Sequence, residues 1–129
     1  MKEAYEFIKS AGTYYIASLE GDQPRVRPFG TVNIFEDRLY IQTGRSKDCY
    51  RQFKDKKVEL CAFKDGKWLR LAGTLVEDAR TEAEQAMLDA YPSLQKMYKA
   101  GDGNTCVLYF KDATASLCSF TAPPVTRSF

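Results

Sequence analysis

The spacing of apolar side chains changes several times along the chain, and each change marks an element. Tyr5 to Ser10 closes a short amphipathic helix with Tyr5, Ile8, Ala4 and Phe7 turned inward, and Gly12 stops it. Thr13 to Leu19 is rich in β-formers, and Glu20-Gly21-Asp22-Gln23 turns the chain. Arg25 to Phe35 reads as one strand interrupted at Gly30, where a bulge or a close backbone approach is expected. Glu36-Asp37 returns it into a strand over Arg38 to Thr43. Ser46 is placed to cap a helix from Lys47 to Lys54. Val58, Leu60 and Ala62 then alternate with Glu59 and Cys61 in a strand from Lys57 to Phe63. Asp65-Gly66 suits a type I′ hairpin into a long strand, Trp68 to Asp78.

The last third of the chain is more mixed. Thr81-Glu82-Ala83-Glu84 has the spacing of a capping box and opens a helix to about Ala90. Pro92 separates it from a second helix, Ser93 to Lys99. Thr105 to Lys111 and Ala115 to Phe120 read as a final hairpin, and the tail from Thr121 to Phe129 as extended or frayed. About seven strands in mostly hairpin order, with small helices between them, predict a mainly β chain, an antiparallel barrel or an α+β domain. Residues 1–120 form that domain and 121–129 its tail.

Composition narrows the possibilities. A chain of 129 residues with 44% hydrophobic and 13% aromatic content can build one core. A net charge of +2, from 19 basic and 17 acidic residues, carries no global signal for nucleic acid or for a membrane surface. No apolar run is long enough to span a bilayer, and the first residues are not those of a secretory signal. Cys49, Cys61, Cys106 and Cys118 are scattered, form no CxxC pair and read as reduced thiols of a cytoplasmic protein. The chain has no histidine. Ser-His-Asp and Cys-His nucleophiles are therefore excluded, no metal site is expected, and any chemistry is assigned to an organic cofactor.

Three stretches could carry a ligand. In Pro24-Arg25-Val26-Arg27-Pro28-Phe29-Gly30, the two arginines share one strand face, and Pro28 keeps the segment from being a fully paired central strand. It is either an edge with solvated arginines or a backbone wall for a ligand. Gln42-Thr43-Gly44-Arg45-Ser46-Lys47 leaves a strand and enters a helix, which suits an anion as well as it suits an ordinary exposed cap. If the strands flanking Glu36-Asp37 are neighbours, Arg27 could reach a phosphate held at Ser46. Trp68 and Arg70 open a strand in Lys67-Trp68-Leu69-Arg70, where Trp68 either packs plainly or covers a planar ring or a subunit contact.

Along Tyr15-Ile-Ala-Ser-Leu-Glu-Gly-Asp-Gln-Pro-Arg-Val-Arg-Pro-Phe-Gly30, Leu39-Tyr-Ile-Gln-Thr43, Ser46-Lys47 and Val58-Glu-Leu-Cys-Ala-Phe63, the sequence resembles the pyridoxamine 5′-phosphate oxidase-related FMN-binding split barrels. Within them it is similar to the short bacterial members of nitroimidazole-resistance type. The resemblance spans about Tyr5 to Phe120. It implies a split β-barrel and a homodimer with FMN at the subunit interface. It assigns Arg27, Pro28, Phe29 and Gly30 to the flavin, Gln42 and Thr43 to the same pocket, and Ser46 and Lys47 to the phosphate. Trp68 and Arg70 would come from the partner subunit. It further implies an oxidoreductase passing electrons from a reduced nicotinamide donor to a small planar acceptor, with a non-catalytic flavin-binding redox module or sensor as the alternative. The Pro-Pro tail and the missing histidine depart from the vitamin B6 oxidase, so that activity is not expected.

Overall fold

The computed structural model describes residues 1–129. Helix α1 (Lys2–Ala11) leads into β1 (Tyr14–Glu20), β2 (Gln23–Phe29), β3 (Asn33–Phe35) and β4 (Arg38–Gly44). Helix α2 (Asp48–Phe53) follows, then β5 (Lys56–Lys64), β6 (Lys67–Asp78) and α3 (Thr81–Ala90). A 3₁₀ turn (Pro92–Lys96), β7 (Thr105–Ser119) and β8 (Val125–Ser128) complete the chain. All eight strands belong to one antiparallel sheet in the order β2-β1-β5-β6-β7-β4-β3, with β8 beside β7. This is the mainly β, split-barrel architecture with short helices that the sequence implies. No helix is long and apolar enough to cross a membrane.

Strand alternation builds the interior. Tyr14, Ile16 and Ser18 of β1 face inward, as do Val58, Leu60 and Ala62 of β5 and Leu69 and Leu71 of β6. With Leu39, Ile41, Phe53, Leu75, Leu108 and Phe110 they make the main core, closed on one side by Ala4 and Ile8 of α1. A second, smaller cluster lies on the opposite face of β4 and β7, where Tyr40 and Val107 meet Ala83 and Met87 of α3. Two tight turns set the register of their hairpins. Glu36 and Asp37 take φ of 47° and 59°, and Asp65 and Gly66 take 52° and 76°, as type I′ turns require.

Four expectations are corrected. The segment Arg25 to Phe35 is two strands with different partners: β2 pairs only with β1 and β3 only with β4. Gly30 lies in the link between them; a side chain there would make only ordinary contact, 3.5 Å from the Gly12 carbonyl. The expected hairpin at residues 111–115 is one continuous strand, β7. Asp112 does adopt a turn-like φ of 52°, but it serves a bulge opposite Gly73, where the β6–β7 register shifts. A Cβ on Gly73 would lie 3.1 Å from the Lys111 carbonyl and 3.2 Å from the Phe110 ring, so a side chain there would crowd the bulge. The tail takes the extended form of its two expected ones, and residues 125–128 pair with Leu117 to Thr114 of β7. Neither expected side-chain cap forms: α2 starts after Lys47 and α3 after Arg80, and Glu84 is drawn into a buried ion cluster instead. The second helix shrinks to the 3₁₀ turn at Pro92.

The two ends of the sheet are joined by Gly30-Thr31-Val32, which pairs with no strand. Side chains supply the missing bonds. The Tyr14 hydroxyl donates to the Thr31 carbonyl at 2.7 Å, and the Gln42 N–H donates to Thr31 Oγ1 at 3.1 Å. The Tyr91 hydroxyl accepts from the Val32 N–H at 3.1 Å and donates to the Val32 carbonyl at 3.2 Å, as a neighbouring strand would. Val32 is 1% exposed, so water cannot replace that partner. Tyr91→Phe should therefore cost about 1–3 kcal/mol of unfolding free energy in urea denaturation. A loss no larger than that of an exposed tyrosine would show that the link is held by other means.

Candidate functional site

The side chains singled out in β2, β4 and the following turn gather around α2, a short helix anchored by the buried Phe53. Arg27 comes from the inward row of β2. Its guanidinium lies 4.8 Å from the centre of the Phe53 ring and donates to Ser18 Oγ at 2.9 Å, to the Ile16 carbonyl at 3.1 Å and to Gln52 Oε1. No carboxylate pairs with it within 4 Å, whereas Arg25, Arg45, Arg51, Arg70 and Arg80 all form ion pairs. Burial pushes the Arg27 pKa below its ordinary value, although an arginine stays charged. A partly desolvated cation without a counter-charge is where an anion is bound most strongly. Phe29 continues the inward row, with its ring centre 6.0 Å from that of Tyr14 and 5.6 Å from that of Phe53. Pro28, between them in sequence, faces outward and is exposed.

On β4, neighbouring residues part. Thr43 faces inward with Oγ1 3.3 Å from Cys49 Sγ. Gln42 faces the other side and donates from Nε2 to Thr105 Oγ1 at 3.3 Å and to the Thr43 carbonyl at 3.1 Å. Ser46 and Lys47 stand exposed where the chain enters α2. The corner is fastened by Asn104, which accepts the Ser46 N–H on Oδ1 and the Arg45 N–H on its carbonyl, at 3.3 and 2.7 Å. Lys47 also has no carboxylate within 4 Å, and its neighbour Asp48 pairs with Arg51.

Arg45, of the same turn, is not free. Its Nε donates to Glu77 Oε2 at 2.8 Å, and Nη2 also reaches Glu84 at 3.4 Å. Glu77 further accepts from the Tyr50 hydroxyl at 2.7 Å and pairs with Lys54 at 3.6 Å. Glu84 accepts the Gly101 N–H at 2.9 Å. The cluster ties β4, α2, β6 and α3 together directly behind the Ser46-Lys47 corner. Burial alone would raise the Glu77 pKa, but the bonds from Tyr50 and Arg45 and the nearby Lys54 outweigh it and hold the carboxyl below its ordinary value.

Trp68 and Arg70 lie on the opposite, outward face of the sheet. Arg70 pairs with Glu59 at 2.8 Å, and Trp68 packs 4.9 Å from the Phe120 ring. The outward rows of β1, β2 and β5 extend this surface with Tyr15, Leu19, Val26 and Phe63, which are 55 to 68% exposed. Within one chain, Arg27, Phe29, Thr43, Ser46 and Lys47 thus surround α2, while Trp68 and Arg70 belong to a separate face and Gln42 points into the second cluster. Four contributors were not anticipated: Ser18, Gln52, Cys49 and Asn104. Only Ser18 left a trace in the sequence, as a polar residue at an inward position of an otherwise apolar row.

The C. acetobutylicum structure of a NimC/NimA family protein aligns with 100% of this chain and 92% of its own, at 42% identity and a TM-score of 0.94. General stress protein 26 from Bacillus anthracis covers 99% of this chain and 98% of its own at 15% identity and a TM-score of 0.74. A pyridoxamine 5′-phosphate oxidase-related, FMN binding protein from Nostoc punctiforme covers 99% and 93% at 14% identity and a TM-score of 0.62. The last two share the fold. No protein-family model matches the chain, and no curated protein does.

The ion cluster makes a pH-dependent prediction. Because the Glu77 pKa is lower folded than unfolded, its stabilisation is present above the ordinary glutamate pKa and disappears as the pH falls through the folded value. Glu77→Gln should lose about 3 kcal/mol at neutral pH. The gap to the unmodified chain should close towards about pH 3. Urea denaturation of both proteins across that range measures it. A gap that persists unchanged in acid would mean that Glu77 acts through packing and not through charge.

Proposed function

Because the chain belongs to the NimC/NimA family, we propose that it is an FMN-binding flavoprotein that passes electrons from a reduced nicotinamide donor to a small planar acceptor, working as a homodimer. The observation that carries this reading is the pair of cations flanking α2, Arg27 and Lys47, each without a carboxylate partner. A phosphate dianion answers both, and the exposed Ser46 hydroxyl adds a donor beside Lys47. The residues present therefore fit an FMN phosphate. When bound, the flavin supplies the hydride and electron chemistry, which no side chain here could replace.

The chain's own part is to bind and to exclude water. Lys47 and Ser46 hold the phosphate from the open side. Arg27 completes the charge from the inner row by giving up Gln52, a neutral acceptor, for an anionic one. Pro28 and Gly30 offer backbone to one edge of the ring system, Phe29 stands beside them with its side chain on the inner row, and Thr43 lines the inner wall. A second copy would cover the outward face bearing Tyr15, Val26, Phe63 and Trp68, a cluster of apolar side chains open to water of the kind that marks a subunit contact. That copy would bring its own Trp68 and Arg70 to the flavin. Oxidation of a B6 phosphate is not part of the proposal.

Titration with FMN and with riboflavin, followed by quenching of flavin fluorescence, tests this reading. FMN should bind more tightly. Lys47→Ala should weaken FMN by about 1.5–3 kcal/mol, a charged hydrogen bond's worth, while leaving riboflavin nearly unchanged. Equal losses for the two ligands would remove Lys47 from the phosphate site, and no quenching by either would overturn flavin binding altogether.

A further inference from the structure

β6, β7 and β8 present a small three-stranded surface to the first turns of α1. Pairing aligns its inward rows: Leu69, Leu117 and Val125 form one, and Leu71, Ala115 and Arg127 the next. Between this surface and α1 lies a cavity of about 290 Å³, walled by Phe7, Leu69, Leu117 and Val125. Leu117 and Val125 are 37 and 50% exposed, so the walls are apolar and open to water. The cavity shares no residue with the Arg27 site, and β6 meets α2 at Glu77, at the other end of the strand from Leu69.

Arg127, which is exposed, is the one charged residue of these two rows. The other residues facing α1 from these strands are leucine, alanine and valine, yet a guanidinium stands among them. Its one hydrogen bond is to the adjacent Thr126 carbonyl at 3.0 Å. No carboxylate lies within 4 Å of it, although Glu3 lines the same cavity. Of the chain's eight arginines, three lack an ion pair. Arg27 faces the α2 site, Arg38 stacks 4.2 Å from the Tyr109 ring, and Arg127 has neither role. Lys2 adds a second positive charge at the rim, its nearest carboxylate being the exposed Glu6 at 4.0 Å. Arg127 and Lys2 against Glu3 leave the cavity net positive.

We propose that this cavity is a binding site for a small organic anion, a carboxylate carried on a short apolar chain or single ring. Arg127 would take the carboxylate through its two-pronged donor geometry. The apolar body would lie over Leu117 and Val125 against Phe7 and displace water from them. The volume equals that of roughly ten water molecules at about 30 Å³ each, which admits such a body. One free arginine, with Lys2 at the rim offsetting Glu3, suits a monoanion better than a phosphate dianion. The proposal does not depend on flavin binding.

Octanoate serves as the probe, with amide NMR spectra recorded on the full chain in excess FMN so that an anion site at Lys47 is blocked. Octanoate should give saturable shifts at the amides of Phe7, Leu117 and Val125. Octylammonium, with the same body and the opposite charge, should bind at least tenfold more weakly. Arg127→Gln should weaken octanoate at least fivefold, and Arg127→Lys should recover part of that loss. Three results would overturn the proposal: no saturable shifts at those amides, shifts confined to the α2 region, or octylammonium binding as tightly as octanoate.

Discussion

The architecture depends on a sheet whose two ends cannot bond to each other. The tight turn with Gly21 at φ 62° makes Glu20 and Gln23 a bonded pair, so Arg25, Arg27 and Phe29 direct their backbone bonds toward β1. Pro24, Val26 and Pro28 then point to the free edge, which offers a single N–H, that of Val26. An edge of this kind cannot continue the ladder and resists addition of a foreign strand. At the other end, β3 is only three residues long. Closure falls to the link at residues 30–32, and it is made by hydroxyls from Tyr14, Thr31 and Tyr91 in place of a strand. The barrel is split because no strand pairs with the outer edge of β2, where Pro24 and Pro28 have no N–H to offer.

That split is where the candidate site forms. Since β2 has no neighbour beyond its edge, the inward-facing Arg27 meets a helix, α2, and finds neutral acceptors there instead of a carboxylate. The opposite treatment of Arg45, two positions before Lys47, sharpens the contrast. Arg45 is consumed by Glu77 and Glu84 and fixes the corner, while Lys47 and Arg27 keep their charge uncommitted. A buried ion cluster of this sort is weak evidence for net stability, but it restricts how the corner can move. Rigid support behind two unneutralised cations is the arrangement a preorganised anion site needs.

Much of the fold was legible because local chemistry and global pattern agree. Asp65-Gly66 announced its turn, the alternation of Val58, Leu60 and Ala62 announced an inward row, and Pro28 announced an edge. Where the reading failed, one residue type serves two structures. Asp112 tolerates positive φ in a bulge as readily as in a hairpin, so β7 looked like two strands. Ser46 has a capping side chain, but the chain enters α2 one residue later, and Asn104, distant in sequence, fastens the corner instead. For the site, the cations themselves were visible, but which of them lack partners was not. Ion pairing joins residues as far apart as Arg45 and Glu84, and no spacing rule reveals it. Strict alternation did hold one neglected clue: Gln42 and Thr43 are adjacent on a strand and must face opposite sides.

The outward surface of β1, β2, β5 and β6 and the cation pair around α2 meet in a single claim, that flavin is carried by a dimer of this chain. Sedimentation velocity of the chain with a stoichiometric amount of FMN, followed in both the protein and the visible flavin absorbance, addresses it directly. The account predicts one boundary at the mass of two chains, carrying one flavin per chain. A chain that sediments as a monomer while the visible absorbance stays with free ligand would contradict it.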